Sequence, residues 1–319
     1  MNATPAPTLP RRLRLAALIV LLAGLFGFTS VRTNVLGVGD RFERVTERVA
    51  LFLNPPPDRA TLPTVVVTPE PSLVPTPTPR EPEARSPRPQ PTATPTPKPE
   101  RRPVDIDLAT EPAAVFASQL TEKDCAVAGT QMVLAVLGLG DTSAALQADI
   151  KARIGEWTSV RDSLNGGWGP AAVGLALAAY GAPGYEVRAY ETYTDALRDS
   201  AIAIAELDMP VVMFPWWGAH TWVMTGFRAD ADPILFPDAH IEGAYILDPW
   251  YPRVSSIWGP SDAPGNFEDR TELERNWPAL QGPPGYETIG PGWTRPEGAY
   301  PDRDGRFVVL MPTQRPPSR

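Results

Sequence analysis

The tract from Pro55 to Pro103, built around "VPTPTPREPEARSPRPQPTATPTPKPE", limits what this chain can fold into more than any other feature. Its Pro, Thr and charged residues carry too little apolar surface to offset the entropy of ordering them, so it is expected to be a disordered linker. Forty of the 319 residues are proline, far above the usual share of about 5%. Their crowding here leaves one segment, about Val104 to Arg319, long enough to bury a sizeable core. In polyproline II geometry, at about 3.1 Å per residue, the linker would hold that domain up to roughly 150 Å from whatever precedes it.

What precedes it reads as a membrane anchor over residues 1–32. Arg11, Arg12 and Arg14 stand before the uncharged run "LAALIVLLAGLFGF", which continues to Val31. Such a run reaches the lower limit of roughly 17 residues for a spanning helix and also suits a signal-peptide core. No small-x-small cleavage site follows, which favours an uncleaved single-pass anchor. The arginines keep the N-terminus cytoplasmic, so the rest of the chain is expected outside the membrane; a cleaved segment would make it secreted. Over residues 33–54, Asp40 and Glu43 at capping-box spacing and Phe42, Val45, Val49 and Phe52 on one face predict a short amphipathic helix.

With 29 basic against 37 acidic residues and a net charge of -8, no basic surface speaks for nucleic acid. One cysteine excludes an internal disulfide framework, and two histidines leave no zinc cluster of usual spacing. Neither a metal nor another cofactor is expected.

Within residues 104–319, "DCAVAGTQMVLAVLG", "TSAALQADIKARIG" and "GPAAVGLALAAYG" predict helices; Pro170 opens the third and Gly181 closes it. "YEVRAY", "PVVMF", "TWVMTGF", "AYILD" and "RFVVLM" then read as short strands bounded by Gly, Pro and Asp. Helices followed by strands predict an α+β domain, with N-terminal helices packed on an antiparallel sheet.

The single thiol, Cys125, falls in the first turn of the first helix. There the macrodipole favours thiolate, and a nearby base makes such a cysteine a nucleophile; the bland alternative is a buried cysteine packing as a small hydrophobe. A cysteine nucleophile needs a base, a group that orients the base, and donors for the oxyanion. His220 in "WWGAHTWVMTGF" is the candidate base, Asp248 at the end of "AYILD" the candidate orienter, and Gln119 a candidate oxyanion donor. Trp216, Trp217, Trp222, Trp250 and Trp258 crowd the same stretches, either walling a peptide groove or packing the core. His240, in "FPDAHIEG", is expected on the surface.

The order Gln119, "DCAVA", "GGWGPAAVGLALAAYG", "PVVMF", "HTWVMTG" and "ILDPW" resembles the papain-like cysteine peptidases, most closely the bacterial double-glycine leader peptidases and their stand-alone relatives. The likeness spans roughly Pro112 to Leu310, with Ala126-Val127 where the family carries Gly-Pro. It implies a papain-like fold, a peptide or protein substrate, Cys125 as nucleophile, His220 as base and acid, Asp248 as its orienter and Gln119 as oxyanion donor. Amide transfer or cleavage of cell-wall peptides is the competing chemistry, and an inactive peptide-binding module on a stalk the competing role.

Overall fold

A computed structural model describes residues 57–68, 99–163, 168–255, 258–280, 288–290, 293–294 and 299–316. The expected anchor, the amphipathic segment before Pro55 and the middle of the Pro-rich tract lie outside the described residues. Among the described residues no helix is long and apolar enough to cross a membrane.

Eight strands form one sheet: β1 (Thr64–Val67), β2 (Val104–Asp107), β3 (Tyr185–Tyr190), β4 (Val211–Met213), β5 (Trp222–Ala229), β6 (Ile241–Leu247), β7 (Asn266–Asp269) and β8 (Phe307–Pro312). They run in the order β1-β3-β8-β4-β5-β6-β7, with β2 and β4 sharing one edge of β5. The β1–β3 ladder is parallel and the others antiparallel. Six helices are described: α1 (Pro112–Val115), α2 (Cys125–Val136), α3 (Ala144–Ala152), α4 (Pro170–Ala179), α5 (Tyr193–Leu207) and α6 (Arg270–Asn276). The expected α+β class and the five expected strands are therefore present.

Both faces of the sheet are covered. Val212, Val223, Leu247, Val308 and Leu310 pack under α2 and α4, and the alternate residues Met213, Met224, Ile246, Val309 and Met311 pack under α5. The expectation of N-terminal helices on one face thus needs a second layer. That layer is α5, where Thr192 accepts the Asp195 N–H at 3.1 Å as N-cap and Ala196, Leu197, Ala201 and Ile204 turn inward.

The linker boundary also needs correction. Residues 57–68 and 99–103 belong to the domain: β1 pairs with β3, Leu62 and Val67 pack against the cores of the two faces, and Arg101 pairs with Asp230 at 2.9 Å. "TVVV" is β-branched, and it gains burial by extending the edge of the sheet. The Pro-rich remainder therefore joins two strands of one sheet, and the domain is connected to the preceding chain at residue 57 rather than at 104.

Candidate active site

Cys125 is the first residue of α2, with Asp124 at the N-cap, so the thiol stands among the free N–H groups of the helix start. Asp124 is fixed from two sides: its Oδ2 accepts the Thr121 N–H at 3.2 Å, and Lys151 Nζ lies 2.8 Å from Oδ1. One turn into the helix, Gly129 permits a close approach, because a Cβ there would sit 2.7 Å from Thr221 Cγ2. Thr221 neighbours His220, so this contact draws the N-terminal end of α2 toward the start of β5.

His220 and Asp248 meet where β5 begins and β6 ends, because Val223 pairs with Leu247 in antiparallel register. His220 Nε2 and Asp248 Oδ1 are 2.6 Å apart, and both residues are buried. Asp248 Oδ1 also accepts the Trp250 N–H at 2.8 Å, which locks the carboxylate. Burial works against a charged imidazole, yet the Asp248 charge and hydrogen bond, followed by those of Cys125, push the His220 pKa up to about 9.

Gln119 is buried, and its Nε2 donates to the Thr121 carbonyl at 2.8 Å, on the turn that leads into Cys125. That bond uses one of the two amide hydrogens; Oε1 has no protein partner among the described residues. The Gln119 backbone is laced to the loop after Asp248 through Pro249 O at 2.9 Å and Arg253 Nη2 at 3.0 Å. All four residues singled out in the sequence thus converge at one end of the sheet. His240 is exposed and stands apart from this cluster.

The tryptophans divide. Trp222 is core, packed on the α5 face. Trp216 stacks on the His220 ring at 4.1 Å and 15°, Trp258 stacks on Trp216 at 5.8 Å, and Trp250 stands edge-on to His220 at 6.3 Å. Trp216 and Trp217 reach these positions at φ of 56° and 57°, a left-handed conformation that costs a bulky residue about 1–2 kcal/mol. Backbone strain beside the candidate base, and the Gly129 approach, are features the sequence reading did not identify; the repeated Trp before His220 was the available signal for the first.

No protein-family model matches the chain, and no curated protein does.

Proposed function

We propose that the protein is a cysteine peptidase of papain-like architecture, carried outside the membrane on its N-terminal anchor. The observation that supports it best is the line Cys125, His220, Asp248, in which one buried imidazole is bound to a carboxylate and interacts with the side chain of a cysteine at a helix start. At neutral pH His220, its pKa raised to about 9, is an imidazolium beside Cys125 and carries the proton the leaving amine needs.

The Cys125 sulfur adds to the substrate carbonyl carbon, and the C=O electron pair moves to oxygen. Helix-start N–H groups and the second Gln119 N–H stabilise that oxyanion. Collapse breaks the C–N bond while His220 gives its proton to the amine, leaving a thioester. Water then attacks as neutral His220 takes its proton, the C–S bond breaks, and thiolate and imidazolium return.

The test needs no substrate. Cys125 is the single cysteine, so mass spectrometry follows its alkylation by iodoacetamide without ambiguity. Alkylation is expected in the folded protein at pH 6 and to slow at least tenfold in His220→Ala, with His240→Ala unchanged. A thiol that reacts only after unfolding, or one indifferent to His220, refutes the catalytic assignment.

A further inference from the structure

Gln119 is held in place by a side chain from outside the cluster. Gln147 of α3 reaches the chain on both sides of it: its Oε1 accepts the Leu120 N–H at 2.8 Å, and its Nε2 donates to the Ser118 carbonyl at 3.2 Å. The same Nε2 donates to Gln131 Oε1 of α2 at 2.9 Å, and Gln131 Nε2 donates to the carbonyls of Asp141 at 3.0 Å and Ser143 at 2.8 Å. Both glutamines are buried, Gln131 0% and Gln147 2% exposed. The sense of every bond is fixed from both ends. The Leu120 N–H can only donate, and the Asp141 and Ser143 carbonyls can only accept, so neither amide can turn over without setting like against like.

The loop after Asp248 grips the same short segment. The Gln119 N–H donates to the Pro249 carbonyl at 2.9 Å, Ser118 Oγ donates to the Tyr251 carbonyl at 2.7 Å, and Arg253 Nη2 donates to the Gln119 carbonyl at 3.0 Å. Cys125 opens α2 and Gln131 lies further along the same helix. The two amides therefore join the helix of the nucleophile to the segment that carries the oxyanion donor. Misplacing a reacting group by about 1 Å can cost about 10²-fold in rate, so a tie of this kind bears on the chemistry.

We infer that, given the catalytic assignment above, Gln147 backed by Gln131 is a positioning residue for the reaction. It fixes the Gln119 backbone relative to α2 and so sets where the Gln119 amide meets the oxyanion formed at Cys125. A carboxamide suits this place because one planar group supplies an acceptor for the Leu120 N–H and donors for the Ser118 carbonyl and Gln131; an ionised carboxylate lacks the donors, and a thioether lacks them as well.

Two reagents test the inference without a known substrate. Iodoacetamide alkylates Cys125 by displacement of iodide at a saturated carbon, and no oxyanion forms. p-Nitrophenyl acetate is attacked at its carbonyl: the sulfur bonds to the carbonyl carbon, the C=O electron pair moves to oxygen, and collapse expels p-nitrophenolate and leaves an acetyl thioester. The ratio of acylation to alkylation rates in the full chain, with Cys125→Ala as the blank for p-nitrophenolate release, reads oxyanion stabilisation with the thiolate content cancelled. Gln147→Met is expected to lower that ratio about tenfold and Gln131→Met about threefold, with alkylation itself unchanged. In a Gln119→Ala background either substitution is expected to change the ratio by less than about twofold, because residues that act through one another do not add. Should Gln147→Met fail to fold, Gln131→Met in the two backgrounds gives the result. A ratio that stays at the wild-type value, or falls equally in both backgrounds, overturns the positioning role and leaves the catalytic assignment standing. A ratio that Gln119→Ala itself leaves unchanged overturns the oxyanion assignment and the positioning role together, and a folded thiol inert to both reagents defeats catalysis as well.

Discussion

Asp162 and Asp248 are both buried carboxylates that hold a nitrogen base at 2.6 Å, Arg303 in one case and His220 in the other. Around Asp162 every bond closes. Its oxygens accept Arg303 Nη1 and the N–H groups of Ala171 at 3.1 Å and Ala172 at 2.8 Å, capping the start of α4. Arg303 Nε donates onward to Thr64 Oγ1 at 2.8 Å, fastening β1. Gly169 lets the chain pass so close that a Cβ there would meet Asp162 Cγ at 2.4 Å. Around Asp248, by contrast, Gln119 Oε1, the Trp216, Trp222 and Trp250 indole nitrogens and Glu268 Oε2 have no protein partner among the described residues. A guanidinium is a permanent cation, whereas an imidazole can shed a proton. A satisfied pair with a fixed charge joins segments of the fold; a titratable pair can hand on a proton.

The comparison is broken most severely at Asp248. Asp248→Asn is expected to cut turnover about 10⁴-fold, the loss typical when the orienting carboxylate of a triad becomes an amide, with the fold retained. It also changes the pH profile. The folded-state pKa of His220, about 9, lies above its unfolded value of 6.5, so its stabilising contribution is fully present below about pH 6.5 and is lost as pH rises through 9. Thermal melts of the wild type should show that decline, and melts of Asp248→Asn should show less of it. An unchanged profile would place the charge on His220 elsewhere.

Arg303→Met should have the opposite character. Leaving Asp162 charged and unpaired is expected to cost about 3–5 kcal/mol in denaturant unfolding, while activity per folded molecule stays near wild type. A large loss of turnover in the folded fraction would make this pair part of the site and dissolve the distinction.

The smallest effect expected is at Gln119. Gln119→Ala should lower turnover about 10²- to 10³-fold, the usual loss for one oxyanion donor, without altering Cys125 alkylation. Equal losses in alkylation and turnover would mean that Gln119 holds the turn before Cys125 through Thr121 and contributes no hydrogen bond to the oxyanion.

Much of this arrangement was legible in the chain itself. Periodicity, Pro170 and the positive-φ glycines Gly138 and Gly181 marked three of the helices, and β-rich runs marked the five expected strands. The candidate Cys, His, Asp and Gln were each visible because the chemistry calls for few residue types and the chain has one cysteine and two histidines. The second helical layer was legible but unread: "PVVMF" and "RFVVLM" are apolar at successive positions, as strands buried on both faces are.

What the sequence determined by itself is local: where the backbone turns, which faces are apolar, and which side chains carry chemistry. Tertiary structure decided the rest. "TVVV" lies within Pro-rich sequence that cannot form a core alone, and it becomes a strand only because β3 offers an open edge and Arg303 reaches Thr64. Glu268 is an ordinary strand carboxylate until the sheet, α6 and the tryptophans remove its water and set three like charges around it. Burial and charge proximity are properties of segments distant in sequence brought together, so they arise only when the chain has folded.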